Sequence, residues 1–158
     1  MKDITLNIRY RVYASPEEMS PEDQLLIEAA VQAQKSSYAP YSKFNVGAAI
    51  RMSGGVIVKG SNQENAASPS GLCAERTAAF AASATYPGEA MQAMAIVGGY
   101  DFSTDDLPCT PCGACRQVMA EYQTLAGEPM AIIMVGKREI WKFDRVDDIL
   151  PFIFDSLK

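Results

Sequence analysis

Histidine is missing altogether from the 158 residues. Its absence removes the side chain most often used as general base and as metal ligand, so any such chemistry falls to cysteines and carboxylates. Long apolar runs are missing too. Stretches such as Ala93 to Val97 and Met130 to Val135 fall far short of the ~20 residues a membrane-spanning helix needs. The first twenty residues mix charged and apolar groups, with no continuous apolar core or small-residue cleavage site, so a cytoplasmic location is expected. There is no excess of cationic residues: 14 Lys and Arg against 19 Asp and Glu leave a formal charge of -5. Such a mean field repels phosphate backbones, which favours a small neutral ligand over nucleic acid or a membrane surface. Neither Gly nor Pro is in excess, and with 48% hydrophobic residues the profile is globular rather than disordered.

This length fits one domain, 1–158, in which 1–19 form an N-terminal strand extension. Ile4 to Tyr13 alternates with period two and is rich in β-branched and aromatic residues, which predicts a strand. Ser20 and Pro21 open a helix through Leu25, Leu26, Ala29 and Ala33, ended by Pro40 at the latest. Phe44 to Met52 and Val56 to Gly60, separated by Ser53, Gly54 and Gly55, read as a hairpin. Leu72 to Ala84 is helix-favouring, and Met91 to Gly98 reads as a buried strand. Cys112 to Ala126 then reads as helix, Met130 to Val135 and Glu139 to Phe143 as strands, and Val146 to Leu150 as a last helical turn. Strands alternating with helices imply a partly parallel sheet covered by helices.

The chemistry is concentrated in the cysteines. Cys73-Ala74-Glu75 and, 39 residues on, Cys112-Gly113-Ala114-Cys115 each stand at the start of a predicted helix. Cys112 and Cys115 fall on one face of a first turn, where free N–H groups and the helix dipole favour thiolate. Three protein ligands leave a tetrahedral zinc one open corner for water, the pattern of a catalytic site rather than a closed structural one. Glu75 lies close enough to serve as a proton shuttle without being a ligand.

CAERTA at Cys73 to Ala78 and PCGACRQ at Pro111 to Gln117 resemble the cytidine deaminase family, in particular its short homotetrameric branch. YAPYSKFNVGAA at Tyr38 to Ala49, NQENAA at Asn62 to Ala67 and ILPFIF at Ile149 to Phe154 are similar to that family's other signatures. Relatives acting on deoxycytidylate, guanine or transfer RNA typically carry His-Ala-Glu where this chain has Cys-Ala-Glu.

The resemblance implies a three-layer α/β/α fold with a mixed, about five-stranded sheet flanked by helices. It implies one Zn2+ per chain on Cys73, Cys112 and Cys115, proton transfer by Glu75, and hydrolysis of cytidine and deoxycytidine to uridine and deoxyuridine in pyrimidine salvage. It also implies ribose contacts from Asn62 and Glu64 with the backbone of Gln63 between them, a pyrimidine contact from the Ala74 amide, and packing of Phe44 on the nucleoside. Phe154 would stack in a neighbouring subunit's site within a homotetramer. Arg76 and Arg116, each following a ligand, are expected to hydrogen-bond the ligand sulfurs and offset their charge.

Other readings compete with this one. With Cys109 the run becomes CxxCxxC, and four cysteines could close around a structural zinc or an iron–sulfur cluster. Pro111 holds Thr110 extended, which should carry Cys109 away from the helix start. In most proteins Glu75 would be a dipole-stabilising acid, Asn62 and Glu64 loop polar groups, and Phe44 and Phe154 core residues. The alternative substrate is a related aminopyrimidine nucleoside of the blasticidin S type. A polynucleotide editor on the same fold fits the negative charge poorly, and a zinc-stabilised scaffold would show no turnover.

Overall fold

The computed structural model describes residues 1–155; 156–158 of the expected domain span lie outside the described residues. Six strands form one sheet: β1 (Arg11–Tyr13), β2 (Phe44–Met52), β3 (Ile57–Ser61), β4 (Met91–Tyr100), β5 (Ala131–Val135) and β6 (Ile140–Phe143). Three helices cover it, α1 (Pro21–Gln34), α2 (Ala74–Thr85) and α3 (Gly113–Ala126). The sheet order is β1-β6-β5-β4-β2-β3, and among the strands of the described residues only the β4–β5 pair is parallel. Six strands therefore replace the expected five or so, because the N-terminal strand joins the sheet edge beside β6. That strand is much shorter than Ile4 to Tyr13, since β6 ends at Phe143 and offers no backbone partner further upstream.

Sequence periodicity explains the layers. Along β4, Ala93, Ala95 and Val97 face α1, whereas Met94 and Ile96 face α2 and α3. Being buried on both sides, β4 reads as one apolar run instead of an alternating one. Helix α1 begins where expected: Pro21 takes its first position and the Ser20 side chain accepts from the Asp23 N–H at 3.3 Å. Its buried residues Leu26, Ile27, Ala30 and Ala33 sit on the small-residue face of the sheet. Gly47 permits that approach, because a Cβ there would lie 2.1 Å from the Ala30 carbonyl oxygen.

Topology decides where the helix starts meet. β2 is antiparallel to both β3 and β4, so β3 and β4 run the same way. Each is followed by a helix on the same face, α2 after β3 and α3 after β4. Both helix N-termini therefore emerge at one end of the sheet, beyond the carboxyl ends of parallel strands, the usual ligand position in open α/β sheets. Among the described residues no helix is long and apolar enough to cross a membrane.

Candidate active site

Cys73 is the N-cap of α2 and Cys112 the N-cap of α3, and neither side chain caps its own helix. The helices thus start one residue or two later than expected, and the freed sulfurs point at each other. Cys73 Sγ lies 4.0 Å from Cys112 Sγ, Cys112 Sγ lies 3.5 Å from Cys115 Sγ, and all three fall within 4.8 Å of one another. A tetrahedral zinc with Zn–S bonds of about 2.3 Å requires sulfurs about 3.8 Å apart, so the triangle has the right size.

The electrostatics fit a cation as well. Hydrogen bonds from Cys115, Arg76 and Cys112 draw the Cys73 thiol down to about 5, against the effect of burial. Its hydrogen bond to Cys73, together with burial and the Glu75 charge, pushes the Cys115 thiol up. One thiolate is thus bought by keeping its neighbour protonated, and a dication is the group that lets several ionise together. Arg76 Nη2 donates to Cys73 Sγ at 3.8 Å, while its buried Nε has no partner among the described residues.

Arg116 corrects an expectation. Its Nε donates to the Pro111 carbonyl at 2.9 Å and its Nη1 to the Ile149 carbonyl at 3.0 Å, so it reaches no ligand sulfur. One turn inside α3, its guanidinium ties the loop before the helix to the C-terminal segment instead.

Glu75 sits in the first turn of α2 and is only 5% exposed. Burial, with the Cys73 charge adding to it, pushes its carboxyl up to about 6 against a bond from its own backbone. A carboxyl near that value can both take and return a proton around neutral pH. Cys109 lies outside the triangle, its sulfur close to Gly98. Burial, then the charges of Glu75, Asp105 and Cys73, pushes its thiol up to about 12.

A cavity of about 460 Å³ opens beside Cys73, walled by Tyr41, Asn62, Gln63, Glu64, Leu72 and Arg76 among others. Glu64 Oε2 accepts from the Tyr41 and Ser42 N–H groups at 2.8 and 3.3 Å. The Ser42 hydroxyl and these N–H groups hold its carboxyl below the usual range. Asn62 works inside the fold: Oδ1 accepts from Ser37 Oγ (2.6 Å) and the Val46 N–H (2.8 Å), and Nδ2 donates to the Phe44 carbonyl (2.8 Å). One Nδ2 hydrogen is left for a ligand. Gln63 pairs its backbone with Leu72 in both directions, which holds the cavity wall in an extended shape. Ala74 is fully buried at the start of α2.

Two expected contacts lie off the cavity wall. Phe44 packs edge-on against Tyr100, with ring centroids 5.1 Å apart. Phe154 is 75% exposed, and its backbone is bracketed by Gln117, whose Nε2 donates to the Phe154 carbonyl (2.8 Å) and whose Oε1 accepts from the Phe154 N–H (3.2 Å). Sequence reasoning did not find this clamp, because nothing in the 37-residue separation announces the pair.

The chain is similar to known proteins in sequence and in fold. Residues 20–128 match the family model of the cytidine and deoxycytidylate deaminase zinc-binding region. A cytidine deaminase of Halalkalibacterium halodurans is 47% identical over 98 residues, 62% of this chain and 70% of that one. A probable cytidine deaminase of Dictyostelium discoideum is 38% identical over 132 residues, 82% of each chain. The crystal structure of cytidine deaminase from Burkholderia pseudomallei superposes with a TM-score of 0.71 at 39% identity, covering 86% of this chain and all of that one. Since both the zinc-binding region and relatives spanning most of the sequence align with it, the chain belongs to the cytidine and deoxycytidylate deaminase family.

Proposed function

We propose that this chain hydrolyses the 4-amino group of cytidine and deoxycytidine, yielding uridine or deoxyuridine and ammonia. The observation that carries this reading is the buried Glu75 carboxyl next to a three-sulfur triangle, at the edge of a cavity of nucleoside size. Cys73, Cys112 and Cys115 would hold zinc, which would supply the Lewis acidity that activates water.

The chain's own residues then move the protons. Glu75 takes one from the attacking water and places it on N3 of the pyrimidine as the oxygen adds to C4. It next takes the hydroxyl proton from that tetrahedral carbon and gives it to the departing amine, so that ammonia leaves and the carboxylate is restored. Burial of Glu75 suits both halves of this exchange, since its raised affinity for protons makes it a base strong enough for the first and an acid for the second. The Ala74 N–H, at the start of α2, would meet the pyrimidine carbonyl. Glu64 and the remaining Asn62 donor would hold the ribose hydroxyls, and Arg76 spreads the negative charge of Cys73. In this reading the enzyme is a cytoplasmic homotetramer, and Phe154 of the partner subunit would stack on the base.

The test is to incubate zinc-loaded protein with cytidine, deoxycytidine, cytidine monophosphate, adenosine, guanine and blasticidin S and to follow ammonia release. Release from the two nucleosides, lost in Glu75→Gln while zinc and substrate binding persist, is expected. Near-normal turnover by Glu75→Gln would falsify the proton role, and activity on blasticidin S alone would reassign the substrate.

A further inference from the structure

The N-terminal segment carries an apolar stripe that none of the described residues fully covers. Ile4, Leu6, Ile8, Tyr10 and Val12 occupy alternate positions and are 75%, 55%, 54%, 46% and 52% exposed. Asp3, Thr5, Asn7, Arg9 and Arg11 fill the positions between them. Period-two alternation gives an extended chain one face to bury. Here the face is marked by Tyr10, whose ring stacks on Phe143 at 5.0 Å. Among the described residues only Arg11–Tyr13 pair with β6, and β1 is the outermost strand, so its far edge has no partner strand there, nor do the residues that precede it. A free apolar edge of this kind is a template for another chain. It also lies outside the region that matches the family model, which begins at residue 20.

We propose that residues 3–11 form an arm that pairs antiparallel with the same arm of a second copy of this chain, about a two-fold axis at Asn7. Antiparallel pairing sets residues directly opposite one another, and a two-fold contact must be complementary to itself. Centring on Asn7 puts Ile4 opposite Tyr10 and Leu6 opposite Ile8, so apolar meets apolar on one face. On the other it puts Asp3, the arm's single acid, opposite Arg11, and Thr5 opposite Arg9. Arg11 already meets Asp144 at 2.6 Å, but a guanidinium has five donors and can serve two carboxylates. Of the neighbouring registers that keep the stripe on one face, centring on Ile8 leaves Asp3 facing Tyr13 with no base, and centring on Leu6 moves Asp3 onto Arg9 and Lys2 onto Tyr10. Centring on Asn7 sets Lys2 opposite Val12, and it is preferred because it puts Asp3 on Arg11, which pairing with β6 already holds in strand. The sheet then continues from one protomer into the other, with the two stripes forming a shared apolar layer.

Cross-linking of the full-length, zinc-loaded protein tests the register. In Asn7→Cys the two introduced thiols face each other across the axis, and mild oxidation converts most of the chain to covalent dimer on a non-reducing gel. In Thr5→Cys the two thiols lie four residues apart, about 13–14 Å along the strand, beyond the roughly 7 Å limit for a disulfide; this variant stays at the wild-type background. Adding Leu6→Asp and Ile8→Asp to Asn7→Cys abolishes the covalent dimer. Equal cross-linking of Asn7→Cys and wild type, or cross-linking that survives the two aspartates, would overturn the proposal. Co-sedimentation of wild type with phosphatidylglycerol vesicles, without cross-linking of Asn7→Cys, would assign the stripe to a lipid surface instead.

Discussion

Gly60 gives the sharpest test of how the sheet sets the sulfur triangle. It lies on β3 beneath the first turns of α2, and a Cβ there would stand 2.4 Å from the Ala78 nitrogen, 2.7 Å from the Ala74 carbonyl oxygen and 2.8 Å from Ala78 Cα. Carbon contacts settle near about 3.5–4.0 Å, and the opposing atoms are backbone, so no side-chain rotation relieves the clash. In Gly60→Ala, α2 must therefore retreat by roughly 1 Å. Cys73 and Glu75 ride on α2 while Cys112 and Cys115 ride on α3, so the triangle opens on one side only. Misplacement of about 1 Å can cost about 10²-fold in rate. Overpacking costs about 1–3 kcal/mol, and at about 2–4 °C per kcal/mol the melting temperature should fall by roughly 2–12 °C. Gly47→Ala is the control, because its Cβ would meet Ala30 and Gln34 of α1, on the opposite face of the sheet. The assay is zinc per chain, ammonia release from cytidine and thermal melting of the three proteins. Gly60→Ala should lose zinc and rate beyond its loss of stability, whereas Gly47→Ala should lose mainly stability. Wild-type zinc content and rate in Gly60→Ala, or equal loss of rate in Gly47→Ala, would refute the reasoning.

Further predictions concern residues away from the sulfurs. Asp23, 2% exposed, pairs with Arg51 at 3.2 Å and with Lys142, joining α1 to β2 and β6. Burial opposes its charge, but Lys142 and Arg51 outweigh that and hold its carboxyl below 3.8. Asp23→Asn should cost about 3–5 kcal/mol at pH 7. Because the unfolded chain takes up the proton first, that difference should be complete above the ordinary aspartate value and shrink as pH falls below about 4; urea melts across this range check it, and a pH-independent gap would contradict it. Gln117→Leu removes both bonds to the Phe154 backbone, so KM for cytidine should rise severalfold while zinc content holds, and an unchanged KM would show that the tail needs no clamp. Cys109→Ser should keep zinc content and turnover, as its sulfur lies outside the triangle; loss of the metal would argue for a four-cysteine site.

Much of the site was legible because it depends on short-range chemistry. Ser20-Pro21 announces α1, and cysteines at two helix starts announce a shared centre once parallel crossovers bring those starts to one end of the sheet. What the sequence concealed depends on long-range pairing. The alternation from Ile4 to Tyr13 predicts a full strand, yet its length is set by where β6 stops, at Phe143. Arg116 follows a ligand just as Arg76 does, but only the fold shows that the Pro111 and Ile149 carbonyls claim it. Asn62 looks like a free loop amide until β2 brings Val46 and Phe44 against it.

The central claim is that Cys73, Cys112 and Cys115 share one zinc whose fourth corner stays open beside Glu75. X-ray absorption at the zinc edge of the purified protein tests it most directly. A first shell of three sulfurs and one oxygen, with about one zinc per chain, is the result expected for an open catalytic centre. A shell of four sulfurs, or a protein that binds no zinc with its three thiols intact, would contradict it.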